Sequence, residues 1–143
     1  MDAEKKTITV QAVINAPVEQ VWKLYTEPEH VMKWNNASND WHTPRAENDL
    51  KVGGKFLYRM EAKDDSSSGF DFAGTYEKIK TNELIVYSLT DGRKVEVTFT
   101  KDEDARTKTA TTFEAENTNS LEMQRNGWQA ILNNFKNYVE TRN

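Results

Sequence analysis

The chain has 143 residues, 36% of them hydrophobic, 29% charged and 10% aromatic, with a formal net charge of −4 and no cysteine. The lack of cysteine excludes disulfides, a thiolate nucleophile and cysteine-bound zinc, and with only His30 and His42 there is no three-histidine metal centre. Leu, Ile, Val and Phe make up only 28 residues, close to the ~20% line below which highly charged chains stay unfolded, but here the net charge is small. Four Trp, five Tyr and six Phe supply the burying area that the aliphatics lack.

The length suits one domain, residues 1–143. A sequence pI near 5.3 gives no surplus of clustered Lys and Arg for phosphate, so no nucleic-acid partner is expected. No apolar run approaches the ~18 residues of a membrane span, and the start holds no apolar leader; a cytoplasmic protein is expected.

In chain order, residues 7–15 alternate, with Ile8, Val10, Ala12 and Ile14 on one face of a half-buried strand. Pro17 suits the first turn of a helix, where its missing N–H is not needed. Val18, Val21, Trp22 and Tyr25 then recur at helical spacing until Pro28 ends the run. A second short helix is predicted over 29–34, with Val31 and Trp34 inward. Residues 35–52 are polar, with Asn35, Asn36, Asn39, Asp40 and Pro44 all favouring turns, the pattern of a long irregular loop.

After a turn at Gly53-Gly54, Phe56, Tyr58 and Met60 share one strand face; beyond the polar turn 64–69, Phe70, Phe72 and Tyr76 share the face of the next. Residues 84–90 form a strand apolar on both faces, so parity assigns neither inward. Asp91-Gly92 predicts a type I′ hairpin turn, leading to Val95, Val97 and Phe99 on one face. A Thr-rich strand over 107–116 puts Phe113 and Ala115 inward. The period then changes: Trp128, Ile131, Leu132, Phe135, Tyr138 and Val139 mark an amphipathic helix reaching back to Leu121.

Strands joined by short turns and segregated from helices imply an α+β fold: an antiparallel sheet of about six or seven strands, with helices on one face. A sheet curled round one long helix leaves room for a cavity. The stripe Phe56, Tyr58, Met60, Phe70, Phe72 and Tyr76 is the candidate ligand surface, since pockets are mostly apolar and aromatic with a few polar groups; packed core is the other reading of the same residues. Trp34 and Trp41 flank the long loop as a candidate lid. Asp40 and His42 form a candidate acid/base pair there, set against ordinary surface polarity.

Other motifs carry less. Gly53-Gly54 lacks the spacing of a phosphate loop and leads into a strand. Asp64, Ser66, Ser68 and Gly69 match the first positions of a calcium loop, but its twelfth is Thr75 rather than Glu. No metal and no cofactor are expected. Gly127, which costs ~1 kcal/mol in a helix relative to alanine, predicts the close approach of another backbone or a ring.

Pro17, Val21-Trp22, Thr26-Glu27-Pro28-Glu29, Trp34, Val52-Gly53-Gly54-Lys55-Phe56, Gly74-Thr75-Tyr76, Asn82-Glu83-Leu84, Val97-Thr98-Phe99 and Gly127-Trp128 occur in this order. With that set the chain resembles, over about residues 7–140, single-domain bacterial members of the START-like (SRPBCC) superfamily. The group is named after the C-terminal domain of the activator of the heat-shock protein 90 ATPase. Many relatives carry a second Trp directly after the one at Trp34; here Asn35 follows, and Trp41-His42-Thr43-Pro44 comes later. The resemblance implies a helix-grip fold of the birch-pollen-allergen type, with two short helices after the first strand and a long C-terminal helix across the sheet. It also implies a hydrophobic cavity with Trp34, Phe56, Tyr58, Met60, Phe72, Tyr76, Phe99 and Trp128 in the cavity region.

The expected function is binding or carriage of a small hydrophobic ligand, aromatic or lipid-like, with no catalytic residue assigned. Two alternatives stand beside it: an enzyme of the cyclase or hydrolase type using the same cavity, and a co-chaperone-like activator whose partner is a heat-shock ATPase.

Overall fold

The computed structural model describes residues 6–36, 41–63, 69–102, 105–116 and 119–141. Seven strands and three helices follow one another: β1 (Thr7–Ile14), α1 (Val18–Thr26), α2 (Pro28–Trp34), β2 (Trp41–Asn48), β3 (Lys55–Ala62), β4 (Gly69–Lys80), β5 (Leu84–Leu89), β6 (Lys94–Asp102), β7 (Arg106–Glu114) and α3 (Leu121–Glu140). The strands form one antiparallel sheet in the order β1-β7-β6-β5-β4-β3-β2. It curls into a half-barrel, with α1 and α2 early in the chain and α3 across its concave face. This is the α+β helix-grip architecture.

Pro28 divides α1 from α2. Glu27 is the C-cap of the first and the N-cap of the second, its N–H bonded to Lys23 O and its carbonyl accepting from His30 and Val31. Pro17 sits one place earlier than the first helical turn, as the extended N-cap of α1. At the other end of the chain, Ser120 caps α3 by accepting the Met123 N–H at 3.1 Å.

Two expectations give way. The stretch 35–52 is not all loop, because β2 pairs with β3 along the outer edge of the sheet. It carries no apolar alternation, and its register breaks between His42 and Arg45, where Pro44 has no N–H to give; an edge strand tolerates both. The β5–β6 hairpin is not type I′. Gly92 has φ 92° but Asp91 is not in the left-handed region, and the loop closes through Gly92 N–H to Leu89 O and Leu89 N–H to Arg93 O. This is a three-residue loop with glycine at the left-handed position. The Asp91 carboxylate accepts from the Arg93 backbone and guanidinium at 3.0 and 2.7 Å, which holds Asp91 in the commoner conformation.

The core gathers where α1, α2 and the C-terminal half of α3 meet the sheet, around Val21, Val31, Phe135, Val139, Ile85, Val97 and Phe113. Thr107, Thr109 and Thr111 of β7 are buried there too. From the N-terminal half of α3, Trp128 reaches Phe113 of β7 and Phe72 of β4. Along the whole of α3, side chains reach the free edge of β1: Arg125 donates to Thr9 O, Gln129 to Gln11 O and Lys136 to Val13 O, while Asn15 N–H donates to the Glu140 carboxylate.

Candidate ligand cavity

Because β3 and β4 alternate, one face of each carries rings toward α3. Phe56, Tyr58 and Met60 are all buried, and in the ladder Phe56 lies opposite Gly74, Tyr58 opposite Phe72 and Met60 opposite Phe70. Gly74 makes room for this arrangement. A Cβ there would lie 2.6 Å from Ser88 O and 2.8 Å from the Phe56 ring, so the ring rests where a side chain would otherwise stand. Phe56 is the hub, with Tyr58, Phe72, Tyr76 and Tyr87 at ring-centroid distances of 5.0, 5.8, 5.4 and 4.8 Å.

Between this face and α3 a cavity of about 280 Å³ stays open. Eight of the ten residues singled out from sequence line it: Trp34, Phe56, Tyr58, Met60, Phe70, Phe72, Tyr76 and Trp128. Phe99 and Trp41 are not on its wall. Phe99 is inward, but α1 covers it, with Trp22 and Tyr25 edge-on at 5.1 and 5.4 Å. Trp41 is half-buried at the start of β2, tilted against Phe70 at 6.0 Å, and Phe70 itself is 47% exposed at the rim. Trp128 stacks on Phe113 at 4.1 Å and meets Phe72 edge-on at 5.9 Å. Trp34 donates its indole N–H to Leu24 O and packs on Phe135.

Several lining residues had no clear signal in the sequence. Tyr87 sits on the strand with two apolar faces, Tyr25 on a short helix whose inward face reads as ordinary core, and Thr111 and Gln124 are polar. Gln124 is buried because its amide closes the β7–α3 connection, accepting from Glu116 N–H and donating to the carbonyls of Glu116 and Asn119. Gly127 is a correction. A Cβ there would meet no described atom within 4 Å, so no ring or backbone presses on the helix at that point.

Four tyrosine hydroxyls give the wall its polar character. Tyr76 donates to Asn48 Oδ1 at 2.6 Å, and Asn48 in turn donates to Thr26 O at 2.6 Å. Tyr58 is hydrogen-bonded to Tyr76, and Tyr25 to Thr111. Burial pushes the Tyr76 hydroxyl up to about 12, with the bonds to Tyr58 and Asn48 acting the other way. Burial, reinforced by the neighbouring tyrosines, likewise raises Tyr25, Tyr58 and Tyr87 above the ordinary value of 10.0. All four are neutral near pH 7 and act as hydrogen-bonding groups rather than bases.

The match extends well beyond architecture. Residues 15–140 match the family described as activator of Hsp90 ATPase homolog 1-like protein. The chain belongs to this family. An AHSA1-like protein from Aeromonas hydrophila is 40% identical over 96% of this chain and 94% of its own, with a TM-score of 0.88. Protein Chr148 from Cytophaga hutchinsonii is 49% identical over 96% and 93% of the two chains, with a TM-score of 0.78. A Nitrosomonas europaea protein, 17% identical over 99% and 98% with a TM-score of 0.80, shares the fold. No curated protein matches the chain.

In this AHSA1-like chain His42 is not on the described cavity lining. His42 is half-buried on β2 opposite Glu61, while Asp40 and residues 64–68 of the calcium-like turn lie outside the described residues. On α2 and its cap, Glu27, Glu29 and His30 bring potential ligand atoms within 4.8 Å of one another, and His30 Nδ1 is 2.7 Å from the Tyr138 hydroxyl. Among the described residues no helix is long and apolar enough to cross a membrane.

Proposed function

We propose that the chain acts as one START-like domain, residues 1–143, that binds and carries a small hydrophobic molecule, aromatic or lipid-like, in the cytoplasm. The observation that carries this reading is the open space itself. A solid core would close the rings of β3 and β4 onto α3; instead about 280 Å³ remains between them, near the lower end of the ~300–1,000 Å³ of small-molecule pockets. Rings on the wall and a few neutral hydroxyls suit a largely apolar guest.

The test is titration with the neutral probe N-phenyl-1-naphthylamine, following tryptophan emission, together with native mass spectrometry of the purified protein. Saturable one-to-one binding that quenches Trp128 supports the reading; absence of both a retained ligand and probe binding overturns it. Activation of a heat-shock ATPase, for which the family is named, is the second reading, and stimulation of Hsp90 turnover by added protein would favour it. A cyclase or hydrolase using the same cavity would need a base there; the buried tyrosines are held protonated, which leaves the Glu116 carboxylate on the described lining as the group it would have to use.

A further inference from the structure

Tyr87 differs from the other three cavity tyrosines. Tyr25, Tyr58 and Tyr76 each have a hydroxyl partner within the protein, as given above. Tyr87 has none among the described residues, although it is only 6% exposed. Its ring is pinned edge-on between Phe56 at 4.8 Å and Tyr76 at 6.3 Å, so it cannot swing aside to find one. Buried hydroxyls without partners are uncommon because they forfeit their bond to water. The sealed example here is Thr109 Oγ1, which touches no open space. Tyr87 instead lines the cavity, where a guest can reach it.

We infer that the ligand presents a neutral oxygen acceptor, of the ketone or ether kind, to the Tyr87 hydroxyl. This rests on the cavity being a binding site and adds the chemical class of its occupant. The hydroxyl proton needs an acceptor, and no described side chain is placed to take it. The acceptor is neutral because, among the described residues, the one cation on the wall, Arg93, which acts on the Tyr87 hydroxyl, is already paired with an acid. Arg93, the one basic residue on the described lining, has its guanidinium bonded to Asp91 at 2.7 Å and to Glu114 O at 3.4 Å, and Glu116 lines the same cavity. A carboxylate placed inside would be stripped of water without a charge to meet it.

The experiment uses three probes of one shape: 2-acetylnaphthalene, 2-ethylnaphthalene and 2-naphthoate, each titrated against tryptophan emission. In the wild-type protein the ketone is expected to bind roughly fivefold tighter than the hydrocarbon, and the carboxylate weaker than both. In Tyr87→Phe, checked by thermal melt, the ketone and the hydrocarbon bind alike. The infrared carbonyl stretch of the ketone bound to wild-type protein moves to lower frequency, a measurement that needs no variant. Equal binding of ketone and hydrocarbon by the wild type, a ketone preference that survives in Tyr87→Phe, an unshifted carbonyl stretch or preferred binding of the naphthoate would each overturn the inference while leaving the cavity a binding site. If none of the three probes binds, the carrier reading fails and this inference fails with it.

Discussion

Trp128 is packed on one side and borders open space on the other, which makes its truncation a measure of the cavity. The indole lies nearly parallel to Phe113 at 4.1 Å, touches Phe72 edge-on, and otherwise faces the void. Truncating a fully packed Trp costs ~3–5 kcal/mol. With about half the ring in contact, Trp128→Ala should cost ~2 kcal/mol, of which ~0.5–1.5 kcal/mol is the stack on Phe113. At ~2.1 cal/mol/K of unfolding entropy per residue, that lowers the melting temperature by about 7 °C. Phe113, 1% exposed, provides the comparison: Phe113→Ala should cost ~4 kcal/mol, and the double variant should recover ~1 kcal/mol of coupling. Urea titration of the four proteins gives these values. A Trp128→Ala loss as large as that of Phe113→Ala would mean that the indole is packed on all sides and no cavity lies beside it; a loss below ~0.5 kcal/mol would mean that the stack is not formed.

Four further outcomes follow from the same packing. Thr109→Val replaces a sealed hydroxyl that has no partner and should raise stability by ~1 kcal/mol in a urea titration; a fall would place a partner on that oxygen. Gly127→Ala adds a Cβ into space free of described atoms and should gain ~1 kcal/mol of helix propensity, read as a higher denaturant midpoint; a loss would mean that another group closes on that face. Gly74→Ala drives a Cβ to 2.6 Å from a backbone oxygen that cannot yield and should cost ~1–3 kcal/mol, seen as a lower melting temperature; an unchanged melt would refute the close seat of Phe56. The cavity tyrosines also set an alkaline limit. Tyr76 ionises at about 12 in the folded protein against an ordinary 10.0, so the folded state holds more protons above pH 10. That stability is fully present below pH 10 and is lost as pH rises toward 12. Tyrosinate absorbance from the four cavity tyrosines should therefore appear together with unfolding, and their ionisation ahead of unfolding would contradict their burial.

The sequence makes some of these elements plain and hides others for physical reasons. β3 and β4 are legible because one face meets the cavity and the other meets water, which forces alternation at Phe56, Tyr58 and Met60. β2 is hidden because an edge strand with a bulge at Pro44 has no such constraint. Tyr87 is hidden because the half-buried outer face of β5 carries Leu84 and Val86, so both faces of the strand read as apolar. Phe99 shows a different limit. Parity turns it inward correctly, but whether an inward ring lines the void or lies under Trp22 and Tyr25 depends on where α1 comes to rest, and no local pattern encodes that. Thr109 and Thr111 are buried against their polarity, one at the cost of an unpaired oxygen and the other on the cavity wall.

A half-barrel of seven strands has two margins, each an invitation for a strand from another chain to add itself. Along β1 the invitation is already answered. The reach of α3 from Arg125 to Glu140, about 22 Å at helical rise, matches the roughly 20 Å of strand between Thr9 and Asn15, so the helix side chains stand in for an eighth strand. At β2 the bulge and Pro44 spoil the pattern that an incoming strand would need. A protein whose aromatic rings border an open cavity is thereby guarded against recruiting its own kind through the backbone.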